Sequence, residues 1–185
     1  VQPWYQGGIS VLDFTDPANA FEIAFFDRGP IDPDVMVLGG YWSSYWYDGR
    51  IYGTEIVRGL DVFEMVPSAY LSENEIAAAA LADQGQTFNP QQQFPVSWPD
   101  HPVVGLAYLD QLMRDDALPS EQADALYDTL GQAVDAVEAG EDNAQLSREL
   151  RALRRDLSRV AVQGEASVRR LSALQDVMDG VASAL

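Results

Sequence analysis

The chain has 185 residues, of which 29 are acidic and 11 are basic, so its formal net charge is -18. A field this negative repels phosphate backbones and anionic lipids, which excludes nucleic acids and membrane surfaces as expected partners. Cysteine is absent, which excludes disulfides, thiolate catalysis and zinc–cysteine sites. No apolar run reaches the roughly 18 residues that a membrane-spanning helix needs, so we expect no membrane insertion.

The first third of the chain predicts short β-strands, because apolar and aromatic runs of strand length alternate with turn-rich segments. Asp48-Gly49 predicts a tight hairpin, since both central residues of a type I′ turn need positive φ. The predicted strands are 9–14, 21–26, 41–47, 50–53 and 60–65.

Two of these segments repeat one another. "GGISVLDF" and "RGLDVFEM" align at an offset of 51 residues, with Gly8 on Gly59 and Val11 on Val62. The same offset places Val1 on Tyr52. We therefore expect the chain to open at the end of a strand whose hairpin partner is missing.

The strands are apolar on both faces. Ile9 and Val11 point one way, whereas Leu12 and Phe14 point the other way. Strands of this kind belong to sheets that are covered on both sides. Without intervening helices, other sheets must supply the cover, which favours the stacked blades of a β-propeller.

The rest of the chain predicts helices. Ser72 and Glu75 form a capping-box pattern before an alanine-rich segment, and the proline-rich 88–102 predicts an extended linker. From residue 101 the apolar period becomes 3.6, with Ser120 as an expected N-cap and Gly140 as an expected helix end. The predicted domains are 1–66, the last part of a propeller; 67–100, a linker with one short helix; and 101–185, a small helical bundle.

"GGISVLDFTDP" and "GGYWSSYWYDGRIYGTEIVRGLDVFEM" resemble the last one and a half blades of bacterial LVIVD-repeat β-propeller proteins. The family repeat has a glycine, a strand ending in "VxD" and a Ser/Thr-Asp-Pro turn; its second copy here ends in "VFEM" without that turn. The helical tail is similar to extensions of some members from high-GC bacteria. The resemblance implies a C-terminal fragment of a secreted or cell-surface propeller, with the missing blades upstream as its partners, and it brings no catalytic residues. The matching residues are Gly8, Val11, Asp13, Thr15, Asp16 and Pro17.

The predicted fold class is therefore all-β plus all-α, a partial propeller followed by a helical bundle. The candidate binding residues lie in its β part. Glu55 and Arg58 fall in a loop between strands, where binding groups are commonly displayed. Trp42, Ser43 and Tyr45 fall near the start of the aromatic strand, toward the expected channel mouth. The competing interpretation is structural, with packing inside a blade and a Glu–Arg pair.

Three other motifs favour structural roles. His101, the single histidine, fits a helix cap better than a relay with Ser97 and Asp100. Prolines in "DRGPIDPD" break the ligand spacing of a calcium loop. The arginines of "RELRALRRDLSR" alternate with acids, as on a salt-bridged helix face rather than a nucleic-acid patch.

We expect a non-catalytic binding or scaffold module that needs neither cofactor nor metal and contacts a surface macromolecule or a cell-envelope component. The alternative is an enzyme whose active site lies in the propeller channel, mainly on upstream blades. A third hypothesis is self-association through the leucine-rich helix 146–160 of the tail.

Overall fold

The computed structural model describes residues 1–85 and 95–185. Contacts between Cα atoms divide the chain into two compact units. The sheet unit comprises Val1–Leu71 and Gln84–Pro95, and the helical unit comprises Ser72–Asp83 and Val96–Leu185. The predicted linker 88–102 lies in part outside the described residues, so its conformation there stays a prediction.

The sheet unit contains two antiparallel sheets of three strands each. Asp48 and Gly49 both have positive φ, 49° and 73°, which confirms the predicted hairpin between the fourth and fifth strands. The first sheet consists of β1 (Gln2–Pro3), β2 (Ile9–Asp13) and β3 (Phe21–Phe26), and the second of β4 (Tyr41–Tyr47), β5 (Arg50–Glu55) and β6 (Gly59–Glu64).

The two sheets pack against each other through a small core. Ile9, Tyr41 and Ile51 are each at most 3% exposed. The rings of Phe26 and Phe63 lie 4.6 Å apart across the same contact. Gly53 makes the close approach possible, because a Cβ at this position would lie 2.9 Å from Cδ1 of Tyr41 and 2.9 Å from Cδ1 of Ile9.

The predicted fold class, a partial β-propeller followed by a helical bundle, is wrong. The described residues form a small α+β chain with two three-stranded sheets and five helices. The prediction fails because apolar residues on both faces of a strand do not require that both faces be covered. In the structure each sheet is covered on one face by the other, and Leu60 remains 62% exposed on the opposite face.

The helices follow local signals closely, with one exception. Ser72 and Glu75 make both bonds of the predicted capping box, and Gly140 ends the third helix with φ of 66°. Ser120 is not an N-cap, since the cap position is Pro119 and no side chain caps that helix. The helices are α1 (Glu73–Ala80), α2 (Pro102–Arg114), α3 (Ser120–Ala139), α4 (Ala144–Leu157) and α5 (Glu165–Ala184).

The helical unit has a leucine-rich core to which α2–α5 all contribute. The helix α1, expected in a linker, packs on α2 and is tied to it by an ion pair between Glu75 and Arg114. The leucine stripe of α4 points into this core, because Leu146, Leu150 and Leu157 are buried. These three leucines therefore pack within the chain, and self-association through the tail stays a prediction. Within the described residues, no helix has the length and apolar character needed to cross a membrane.

His101 is the N-cap of α2, which confirms the capping interpretation. Its Nδ1 accepts a hydrogen bond from the backbone N–H of Val103 at 3.2 Å. Burial lowers the pKa of His101, partly opposed by the charge of Glu138. Only the neutral ring can accept this bond, because both nitrogens carry hydrogen in the imidazolium.

Replacing Gly53 by alanine should destabilise the sheet unit. The added methyl group must displace the ring of Tyr41 and the side chain of Ile9, and overpacking of this kind costs about 1–3 kcal/mol. Urea unfolding followed by tryptophan fluorescence measures the loss, with Gly131→Ala in α3 as the control, since nothing lies within 4 Å of a Cβ there. Equal stabilities of Gly53→Ala and the wild type would contradict the close approach.

Mild acid should weaken the α2 cap. Because the folded pKa of His101 lies below the usual value of about 6.5, the stability that its neutral ring contributes is complete above about pH 6.5 and is lost as the pH falls through the lower, folded pKa. A cap contributes about 1 kcal/mol. The difference in unfolding free energy between the wild type and His101→Asn, which keeps an acceptor that does not titrate, should shift by about this amount between neutral pH and about pH 5. A constant difference over that range would contradict the assignment.

Candidate binding site

The five predicted binding residues do not converge on one site. Ser43 and Tyr45 lie on the outer face of the second sheet, which is the face turned away from the first sheet. Trp42 lies at the bulge of β4, 65% exposed, with its ring edge-on to that of Tyr5 at 5.9 Å. Glu55 lies on the opposite, inner face and is only 3% exposed. The set therefore divides into outward-facing side chains and one internal carboxylate.

Glu55 holds the backbone of two loops together. Its carboxylate accepts hydrogen bonds from the N–H groups of Gly40 at 2.6 Å, Val57 at 3.0 Å and Arg58. Burial acts to raise the pKa of Glu55, but the three backbone donors outweigh it and lower the pKa. A carboxylate with these bonds already made is a clamp on the β5–β6 turn, not a group offered to a ligand.

Arg58 takes part in that clamp through its backbone. The hydrogen bond between the two residues joins the main-chain N–H of Arg58 to Oε2 of Glu55. The guanidinium borders a small cleft together with Arg28 and Asp27. The expected Glu–Arg pair is thus a turn contact, and it leaves the side chain of Arg58 at the protein surface.

A charged aromatic cluster between the sheets was missed by the sequence analysis. The hydroxyl of Tyr41 donates to Oδ2 of Asp61 at 2.6 Å, and the guanidinium of Arg28 lies 2.9 Å from the same oxygen. That guanidinium also lies over the rings of Phe26 and Tyr41, at 5.4 and 5.9 Å from their centroids. No sequence motif predicts this cluster, because Arg28, Tyr41 and Asp61 are far apart in the sequence.

The protonation states in the cluster fit a structural role. Burial raises the pKa of Tyr41, and its hydrogen bond to Asp61 raises it further. The hydrogen bond from Tyr41 lowers the pKa of Asp61, against the effect of burial and with the help of Arg28. The phenol therefore stays protonated and the carboxylate stays charged, so the hydrogen bond and the ion pair of the cluster persist at neutral pH.

The loop between β3 and β4 lines a groove of about 410 Å³ that contains the acids once considered as calcium ligands. Asp32 turns its carboxylate onto the backbone N–H groups of Asp34 and Val35, at 2.8 and 3.1 Å. Gln6 fixes the loop by accepting from Ile31 and donating to Val37. In residues 1–85 and 95–185, no group of three metal-ligating side chains is placed to hold an ion.

The outer face of the second sheet brings outward-facing aromatic and aliphatic side chains together on one regular surface. Cross-strand pairing places Tyr45, Tyr52 and Val62 in one row, between a row that contains Leu60 and a row that contains Arg50. Val62 is 50% exposed. The face consists of Ser43, Tyr45, Tyr47, Arg50, Tyr52, Thr54, Leu60, Val62 and Glu64.

This face is electrically neutral on a strongly acidic chain. Its two charged residues, Arg50 and Glu64, pair with each other at 3.0 Å. In the row that contains Leu60, the hydroxyls of Ser43 and Thr54 share a hydrogen bond of 2.7 Å. Polar groups satisfied within the sheet lose little when a partner covers them, whereas the exposed Leu60 and Val62 gain from being covered.

Comparison with known proteins brings no further assignment, since no family model, curated protein or solved structure matches this chain. The similarity to LVIVD-repeat proteins therefore stays a prediction from the sequence motifs.

The hydrogen bond from Tyr41 to Asp61 should be worth about 1.5–3 kcal/mol, as for bonds to charged groups. Tyr41→Phe removes the donor and should reduce the unfolding free energy of the sheet unit by that amount. Tyr45→Phe is the matched control, because its ring lies on the outer face, and it should change the stability by less than about 0.5 kcal/mol. Equal effects of both substitutions in urea unfolding would contradict the proposed role of the cluster.

Proposed function

We propose that this chain is a non-catalytic binding module that contacts a polypeptide through the outer face of the second sheet. The observation that carries the proposal is the exposure of Leu60 and Val62, 62% and 50%, beside tyrosines on a regular sheet. Tyrosine and tryptophan are enriched among residues that dominate binding energy. Contiguous exposed apolar surface marks interaction sites in folded proteins.

The chemistry of the remaining candidates supports binding over catalysis. The carboxylates of Glu55 and Asp61 are engaged by backbone or side-chain donors, and the imidazole of His101 caps a helix. The enzyme hypothesis depended on a propeller channel and is not carried forward. Contact with a surface macromolecule or a cell-envelope component remains part of the proposal, and the extracellular or cell-surface location stays a prediction from the sequence resemblance.

The chain offers a matched pair of valines for a test. Val62 on the outer face and Val168 on α5 have the same exposed fraction, 50%. Peptides selected from a random display library against the immobilised chain should bind Val62→Lys at least about tenfold more weakly than the wild type, which is about 1.4 kcal/mol. Val168→Lys should bind them as the wild type does. Selected peptides that tolerate Val62→Lys but lose binding to Val168→Lys would overturn the proposal.

A further inference from the structure

The two copies of the internal repeat form equivalent hairpins. Gln2 pairs with Ser10 in the first sheet as Gly53 pairs with Asp61 in the second sheet, and the sequence offset is 51 residues in both strands. The glycines that open the second strand of each hairpin, Gly8 and Gly59, have φ of 83° and 99°. The two repeats are therefore equivalent in structure as well as in sequence.

The equivalent hairpins bury opposite faces. In the first sheet, Ile9 and Val11 face the second sheet. Their equivalents in the second sheet, Leu60 and Val62, lie on the outer face and are exposed. Conversely, Phe63 faces the first sheet, whereas its equivalent Leu12 lies on the face of the first sheet that is turned away.

The contact between the sheets is therefore heterologous: one kind of face packs on the other kind. Such a contact leaves one face of each kind uncovered. On the outward face of the first sheet, which corresponds to the face of Phe63, Phe25 is 74% exposed and Leu12 is half-buried, whereas Ser10 is buried. The second sheet exposes its outer face, on which Leu60 and Val62 occupy the positions equivalent to Ile9 and Val11.

We infer that a second copy of this chain docks the outward face of its first sheet on the outer face of the second sheet. The inference rests on the proposed function and names the partner. Its warrant is the equivalence of the hairpins β1–β2 and β5–β6: over these strands the two outward faces correspond in register to the two faces that already meet between the sheets, with Gln2 at the position equivalent to Gly53. Trp4 adds aromatic surface to the docking face, where its Nε1 donates to Ser10 at 2.9 Å.

Charge opposes this association at long range and sets its salt dependence. Each copy has a net charge of -18, so two copies repel one another at low ionic strength. The contact faces add little repulsion, because Arg50 pairs with Glu64 on one of them and Glu22 accepts a hydrogen bond from Ser10 on the other. Added salt should therefore strengthen the association, whereas it would weaken binding of a basic partner.

Sedimentation velocity of the full chain, from micromolar to millimolar concentration, tests the inference. The weight-average mass should rise above 20.3 kDa with concentration. The dissociation constant should be at least about tenfold lower in about 1 M NaCl, where the Debye length is about 3 Å, than in about 0.01 M NaCl. Val62→Lys and Phe25→Lys should each remain monomeric, and Val168→Lys should associate as the wild type does.

Mixing the two deficient variants gives the sharpest result. Val62→Lys keeps an intact first-sheet face and Phe25→Lys keeps an intact outer face, so a mixture should form dimers with one copy of each although neither associates alone. An interface between identical faces would not be restored in this way, and failure of the mixture to dimerise overturns the inference. A wild type that stays monomeric at every concentration and salt also overturns it. In that case the proposed function stands if the selected peptides still lose binding to Val62→Lys and falls if they do not.

Discussion

The packing of one sheet on the opposite face of its repeat-related neighbour determines the architecture of the sheet unit. Ile9 can approach the second sheet closely because Gly53 carries no side chain there. The ring of Tyr41 then fills the space beside them and closes a core of very few buried residues. Because the two equivalent hairpins contribute different faces to the contact, each sheet buries only one of its faces, and the other face of each sheet points outward.

Polar side chains hold the loops around this small core. Buried backbone groups need partners, and long irregular loops cannot obtain them from sheet ladders. Glu55 supplies them for Gly40 and the β5–β6 turn, and Gln6 supplies them for the β3–β4 loop. The carboxylate of Glu55, at the end of β5, therefore has a structural role. The local sequence does not distinguish such a carboxylate from one that binds a ligand, because its hydrogen bonds depend on the fold.

The features that the sequence predicted correctly depend on interactions within a few residues. The Asp48-Gly49 hairpin, the Ser72–Glu75 capping box and the helix end at Gly140 each follow from local φ preference or a local hydrogen bond. Strand alternation assigned the faces of β2 and β6 correctly, but not those of β4, where the bulge between Tyr41 and Ser43 turns Tyr41 inward and Tyr45 outward. It could not state what covers a face, because Ile9 with Val11 and Leu60 with Val62 carry the same pattern although one pair is inside and the other is outside.

The same limitation accounts for the site. Tyr41, Arg28 and Asp61 meet through packing of two sheets, and nothing in their local sequence indicates their separation in space. Among the binding candidates, Ser43 and Tyr45 lie on the outer face of the second sheet and Glu55 lies on its inner face. Which side of each strand faces inward depends on the bulge of β4 and on the partner sheet. Long-range contacts decide such cases, and periodicity contains no information on them.

The two units differ in how much of their own apolar surface they bury. The helical unit turns its leucine stripes inward, including the stripe of α4, and links its helices with ion pairs such as that of Arg170 with Asp115. The sheet unit has too few strands to cover both of its outward faces. Two copies of the chain therefore attract one another at short range through apolar surface and repel one another at long range through their negative charge. Salt screens the charge repulsion but not the apolar attraction, so ionic strength controls whether copies of the chain associate.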